Sequence, residues 1–272
     1  MISIITAIYN QLPVNKIFWE YLNKNTSQPF ELIIIDNGSN DGSSEFFKSV
    51  GAIVINNNAN YSYPYSQNQG IKTSRYDWLA FLNNDIIVSK NWDTQLIQSM
   101  TSHGLDVATV CGIEQLENLG ATKQIKRRWK RVKGLLSLFG YGDKALRAMH
   151  RWMYGDWEQF CRERNERFAG VVKEGFVGNT VMMRRQALDK IGLWDERIQA
   201  ADFDLYLRTK TRSEQVGDIK PVHICMDVFN HHYIRLTAKT KYPPFADRDN
   251  LIQLADKWSE ADLQVLSKLH QP

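Results

Sequence analysis

Nowhere does this sequence run for the roughly 18 apolar residues that a helical membrane span requires. Its opening stretch, MISIITAIYNQLP, lacks the basic segment that begins a secretory signal, so the expectation is a cytoplasmic protein. Cysteine is scarce. Cys111, Cys161 and Cys225 are odd in number, far apart and without CxxC spacing, which argues against a disulfide framework or a cysteine-built zinc site and reads as reduced core residues. Several chemical signatures are missing as well. There is no GxxxxGK[ST], no GxGxxG after the first apolar run, no HExxH and no GxSxG. Phosphate-loop enzymes, dehydrogenases, zinc proteases and ordinary serine hydrolases therefore lose ground.

What is present is a globular composition, 43% hydrophobic and 24% charged over 272 residues. The net charge of +4 is unevenly spread. Residues 121–170 carry thirteen Lys and Arg against five Asp and Glu, an excess of eight, so the remainder of the chain is acidic by four.

Short apolar runs alternate with helix-like segments over the first 110 residues. Ile2 to Ile8, Glu31 to Asp36, Gly51 to Asn56 and Trp78 to Leu82 are rich in β-branched and aromatic residues and lack clean alternation, as strands covered on both faces do. Between them, Pro13 opens one predicted helix, Ser43-Ser44-Glu45 another, Ser66 to Ser74 forms a third, and Asn91 to His103 a fourth. The alternation predicts an α/β fold with a mostly parallel central sheet flanked by helices. Three predicted strands end in polar clusters: Tyr9-Asn10, Asp36-Asn37-Gly38-Ser39 and Asn83-Asn84-Asp85. Each cluster alone could be a turn. Three together mark the end of the sheet where α/β proteins bind ligands.

The segments ISIITAIYN, LIIIDNGSNDGS, NQGIKTSRYDWLAFLNND and GNTVMMRRQALDKIGLWDERIQAADFDLYLR, in this order, resemble the family 2 glycosyltransferases, inverting enzymes with the GT-A fold. The resemblance spans nearly the whole chain except about 115–170. It implies a nucleoside-diphosphate sugar (UDP-, dTDP- or GDP-linked) bound with Mg²⁺ or Mn²⁺. Asp36 falls at the family's base-reading carboxylate, with Thr6, Ala7 and Tyr9 lining the same pocket. Asn83-Asn84-Asp85 falls on the DxD metal motif, here in an N-x-D form similar to that of rhamnosyltransferase-like members, leaving Asp85 as its one acidic ligand.

Asp202 falls where the family carries the base that deprotonates the acceptor hydroxyl. The Glu that usually precedes it is Ala201, and Asp204 competes for the role, though carboxylates in a helix's first turn also serve the macrodipole. Trp194, Asp195 and Glu196 fall on the acceptor side. His231 and His232 end a later apolar strand and could supply the metal ligand that Asn83 does not, and Arg235 could meet a phosphate.

Residues 115–170 stand outside the resemblance. Ile125, Trp129, Val132, Leu136 and Phe139 recur at helical spacing as one apolar stripe, with Lys and Arg on the remaining surface, and Leu146, Met149, Trp152, Met153, Trp157 and Phe160 give a second. Three readings stand open: peripheral contact with a membrane through 124–139, packing on the protein's own core or on a second subunit as a homodimer, and contact with nucleic acid. The expected organisation is one structural domain: a donor-binding half (1–114), a basic helical insert (115–170), an acceptor and catalytic half (171–240) and a helical tail (241–272). The expected function is inverting transfer of a sugar to a hydroxyl acceptor, a glycan or lipid-linked glycan in surface polysaccharide synthesis. The alternatives are a non-catalytic binding protein of the same fold, or a protein or nucleic-acid acceptor.

Overall fold

The computed structural model describes residues 1–234 and 242–269; Arg235 lies outside the described residues. The strands are β1 (Ile2–Ile8), β2 (Phe30–Asp36), β3 (Ile53–Asn56), β4 (Trp78–Leu82), β5 (Ile86–Ile87), β6 (Val107–Cys111), β7 (Val172–Glu174), β8 (Thr180–Arg184), β9 (His223–Phe229) and β10 (His231–His232). The helices are α1 (Leu12–Asn25), α2 (Ser43–Ser49), α3 (Tyr63–Thr73), α4 (Trp92–His103), α5 (Leu119–Leu136), α6 (Asp143–Tyr154), α7 (Trp157–Phe168), α8 (Gln186–Ile191), α9 (Ala201–Gln215), α10 (Leu254–Lys257) and α11 (Glu260–Leu269). No helix among the described residues is long and apolar enough to cross a membrane.

Eight strands form one sheet in the order β3-β2-β1-β4-β8-β6-β9-β7. β1, β2, β3 and β4 run parallel, as do β6 and β9. β8 lies between β4 and β6 and is antiparallel to both. The lack of alternation in the apolar runs has its cause here. In β1, Ile2, Ile4 and Ile8 pack into one core cluster and Ile5 into another; in β4, Ala80 and Leu82 face one cluster and Leu79 and Phe81 the other. A strand buried on both faces has no polar side to show.

This topology gathers chain segments at one end of the sheet. β1, β2 and β4 release Tyr9, Asn37 and Asn83 there, and the register pairs Ile8 with Asp36. Because β8 is antiparallel, its beginning lies against the end of β4, with Leu82 opposite Thr180 and the Asn83 N–H donating to the Asn179 carbonyl at 3.0 Å. β6 delivers Gly112 to Glu114 to the same end. A bulge between Val110 and Cys111 shifts the pairing so that Cys111 stands opposite Phe229. After β9 the chain forms β10, which pairs with β5, His231 opposite Ile87 and His232 opposite Ile86.

The insert packs on the protein's own core. Trp129, Val132 and Leu136 of α5, Leu146, Met149 and Met153 of α6, and Trp157 and Cys161 of α7 cluster with Ile17, Ile87, Phe229 and Tyr233. Phe139 departs from the expected stripe and is 79% exposed. α5 ends at Leu136, and a single 3-10 turn, Ser137–Phe139, carries the ring outward before Gly140 reverses the chain at φ 83°. Trp152, assigned to the second stripe, is likewise 56% exposed.

Helix α3 lies close on β1 because residue 70 has no side chain: a Cβ on Gly70 would collide with Ile5 Cγ2, and Ile5 is fully buried. Gly70→Val is expected to lower stability by about 2 kcal/mol in urea denaturation, the cost of overpacking a closed core.

Candidate active site

A carboxylate–imidazole–carboxylate chain lies at the gathered end of the sheet. His232 Nε2 is 3.1 Å from Asp85 Oδ1, and His232 Nδ1 bonds Glu114 Oε1. The Tyr233 N–H donates to the Asp85 carbonyl at 2.9 Å, which fixes β10 against the loop after β4. Asn179 Nδ2 donates to the second Glu114 oxygen at 3.2 Å. Burial opposes charge on His232, but Asp85 and Glu114 outweigh it and hold the imidazole well above its ordinary range. Burial likewise opposes charge on Glu114, and His232 brings its carboxyl below the usual range.

Asp202 stands nearby at the start of α9, which descends on a loop opposite Gly178. A Cβ on Gly178 would collide with Asp202 Oδ2, so that glycine is what admits the carboxylate. Asp202 Oδ1 accepts from the Phe203 N–H at 3.0 Å, and among the described residues no cation pairs with it. Burial pushes its carboxyl above the ordinary carboxylate value, with Glu114 adding to the effect. Asp202 in turn adds to the upward shift of the Tyr63 phenol, which is due first to burial.

Two clefts flank this group. One, of about 360 Å³, is lined by Ala7, Tyr9, Asn37, Tyr61, Tyr63 and Asn84, with Gln199 and residues 242–245 closing it. The other, of about 580 Å³, is lined by Glu114, Gln115, Asn118, Lys126 and Lys173 among others. Both volumes suit a small organic ligand.

The structure separates the expected site residues. Ala7, Tyr9 and Asn84 line the first cleft, and Asn84 Nδ2 is anchored to Asn15 Oδ1 at 2.8 Å. Thr6 is fully buried and does not line it. Asp36, expected to read the donor's base, is buried at the end of β2, where Oδ1 closes a turn by accepting from the Ser39 N–H at 2.9 Å. Its neighbour Asn37 lines the cleft. Asn83 joins the site through its backbone.

His231 is not beside Asp85. Adjacent residues of a strand point to opposite faces, and the His231 ring is buried edge-on to Trp129 and Tyr233, with Nδ1 2.9 Å from the Tyr154 hydroxyl. Burial holds it neutral. Asp204 is not an available base: it is 1% exposed and pairs with Arg208 and Lys257 while accepting from Trp258 Nε1. Asp195 pairs with Arg197 and Lys257, which hold its carboxyl well below the usual range. Trp194 packs against Tyr63 and Phe81, and Glu196 accepts from Asn68. Together these residues bind α9 and the tail to α3. Glu114, Gly178 and Tyr61 had not been picked out from the sequence.

Among the described residues no three His, Cys, Asp or Glu side chains are arranged to hold a metal by themselves. Asp85 and His232 nevertheless fit one. With Nδ1–H donated to Glu114, a neutral imidazole aims its Nε2 lone pair at the Asp85 carboxylate, and two acceptors so placed need a proton or a cation between them.

An open α/β sheet carrying its polar groups at the strand ends, with an antiparallel strand inserted beside β4, is the GT-A glycosyltransferase fold. The mannosyltransferase PcManGT from Pyrobaculum calidifontis, solved with GDP-Man and Mn²⁺, matches it with a TM-score of 0.56 over 89% of this chain and 58% of that one, at 11% identity. TarS of S. aureus (residues 1–349) matches with a TM-score of 0.51 over 85% of this chain and 60% of that one, at 13% identity. At such identities the likeness speaks for the fold. The chain belongs to glycosyl transferase family 2, whose model matches residues 3–192. Among curated relatives, an uncharacterized glycosyltransferase of Haemophilus influenzae is 38% identical over 86 residues, covering 31% of this chain and 29% of that protein. Glycosyltransferase AglE of Haloferax volcanii is 28% identical over 117 residues, 39% of this chain and 37% of that one. The matches thus span about a third of those relatives.

His232→Ala strands two negative side chains at low exposure, so it is expected to cost about 3 kcal/mol of stability near neutral pH. The raised imidazole pKa sets the sign of the pH dependence. The contribution of the charged ring is complete below its unfolded value of about 6.5 and fades as pH rises through the folded value. Urea denaturation of both proteins across that range should show the gap closing.

Proposed function

We propose that the protein transfers a sugar from a nucleoside-diphosphate donor to a hydroxyl of a glycan acceptor, with inversion at the anomeric carbon. The observation that carries this reading is Asp202: a carboxylate that pairs with no cation among the described residues, is raised in pKa by burial, and lies within electrostatic reach of Tyr63 of the first cleft and Glu114 of the second. A general base needs those properties, since it must hold a negative charge with little stabilisation and reach the proton it takes.

In this reading the first cleft receives the donor, with Tyr9, Asn37 and Tyr61 around the nucleotide and Asn84 and Asp85 toward its diphosphate. The complex of the neighbour PcManGT with GDP-Man supports a nucleotide-sugar donor. The amide- and charge-lined second cleft suits a polyhydroxylated acceptor. Asp202 takes the acceptor proton as its oxygen attacks the anomeric carbon, the bond to the diphosphate breaks on the opposite face, and the nucleoside diphosphate leaves. The charged His232 offsets negative charge gathering on the leaving group. Asp85 and His232, once its Nε2 proton is lost, would hold a divalent metal, which when bound supplies further charge stabilisation to the diphosphate.

Donor hydrolysis across UDP-, dTDP- and GDP-sugars, with Mg²⁺, Mn²⁺ or chelator, tests the donor side. Release of nucleotide from one donor, abolished in Asp85→Ala, is the expected result; absence of nucleotide binding by calorimetry for every donor would overturn the reading. Transfer by Asp202→Asn should fall by about 10²-fold or more with donor binding retained. Gly178→Ala should produce a similar loss by pushing the carboxylate aside, and stability should change little. Because Asp202 must be ionised to act and its pKa is raised, the rate should fall on the acid side with a midpoint above 3.8, the ordinary aspartate value.

A further inference from the structure

Helix α5 presents two faces of different chemistry, and the sugar-transfer reading uses neither the outer one nor the turn that follows it. The inner face, Trp129, Val132 and Leu136, is consumed by the core. On the opposite side Arg127, Arg131, Leu135 and Leu138 follow one another at intervals of four, four and three, a single line on the helix surface that continues into the 3-10 turn. Leu135, Leu138 and Phe139 are 59%, 82% and 79% exposed. From residue 118 to residue 142 the chain has seven Lys and Arg and no acidic residue. Beside this face, Arg128 donates to the Trp152 carbonyl at 3.0 Å, and the Trp152 indole is more than half exposed.

We propose that this face docks the protein on an anionic lipid bilayer, with Leu135, Leu138 and Phe139 entering the interface and the surrounding cations meeting the headgroups. Charge alone would suit any polyanion. The aliphatic side chains decide between partners, because a nucleic-acid backbone offers leucine nothing, whereas the acyl boundary removes it from water and a tryptophan is favoured at headgroup level. Lys126 of the same helix lines the second cleft, so docking would hold that cleft close to the membrane surface. The inference stands independently of the sugar-transfer reading.

The test is co-sedimentation of the full chain with phosphatidylcholine vesicles with and without about 30% phosphatidylglycerol, an anionic surface of the kind that polybasic segments recognise. The wild type should pellet with the anionic vesicles and not with the neutral ones, and should be released at about 1 M salt, where the screening length falls to about 3 Å. Leu138→Glu with Phe139→Glu should weaken the partition at least about tenfold, as loss of two buried apolar side chains predicts. Arg127→Glu with Arg131→Glu should weaken it too while keeping the apolar tip. Thermal unfolding of each variant checks that the fold is intact. The proposal is overturned if the folded wild type ignores anionic vesicles or if the apolar variant partitions as the wild type does. It is also overturned if these positions prove instead to hold a dimer together in solution.

Discussion

Two carboxylates share one imidazole, and the end of the sheet is organised around that sharing. Glu114 comes from the segment after β6, Asp85 from the loop after β4, and His232 from β10, three parts of the chain far apart in sequence. An uncompensated carboxylate at low exposure is costly, so each partner makes the position of the other two strongly preferred. The pair of backbone contacts that flank it, Tyr233 N–H to Asp85 and Asn83 N–H to Asn179, extends the constraint into the strands. A ligand that neutralises Asp85 would loosen its hold on His232 Nε2, so binding and local order are linked through one proton.

The inserted strand β8 makes this meeting geometrically available. Running against its neighbours, it starts at the end where the parallel strands finish, and Gly178 and Asn179 lead directly into it there. Gly178 gives Asp202 its place and Asn179 steadies Glu114. The two carboxylates are therefore set by adjacent residues of one loop. Their environments differ: Glu114 is paired with the His232 imidazole, whereas Asp202 is opposed by burial and, among the described residues, pairs with no cation.

Much of the fold could be read from local pattern. β1, β2 and β4 declare themselves as short apolar runs because both faces of the sheet are covered, and the polar residues that end them are turn formers with no other reason to coincide. Asp85 and Asp202 were legible through motif spacing. Three other features were not, each for a physical reason. Glu114 follows a bulge and has no local signature, since its importance comes from a histidine 118 residues away. His231 and His232 are indistinguishable as a dipeptide, and strand alternation sends one to the site and the other into the core. Asp202 and Asp204 lie two apart on a helix and face different ways, while two of the groups that occupy Asp204, beside Arg208 of its own helix, come from α10 and the residue after it, some fifty positions on. Phe139 failed in the opposite direction, because the apolar period continues past the point where the helix stops.

The basic insert looks like an addition to the fold, yet its inner face is what keeps His232 in register. β10 is only two residues long and pairs with a strand equally short, so its backbone bonds alone would not hold it. The insert supplies the rest. Trp129 and Tyr154 close over His231, the Tyr233 hydroxyl donates to the Leu146 carbonyl at 3.0 Å, and Lys133 reaches the Ile234 carbonyl at 2.8 Å. Three residues, 231, 233 and 234, are thus gripped on either side of His232, the one that faces Asp85. A residue buried as a neutral histidine next to one held charged is the consequence: the first is clamped by aromatic packing so that the second can present its ring to the site. The apolar stripe of α5 is therefore spent on the architecture of the candidate active site, and whatever the helix meets in solution it must meet with its other face.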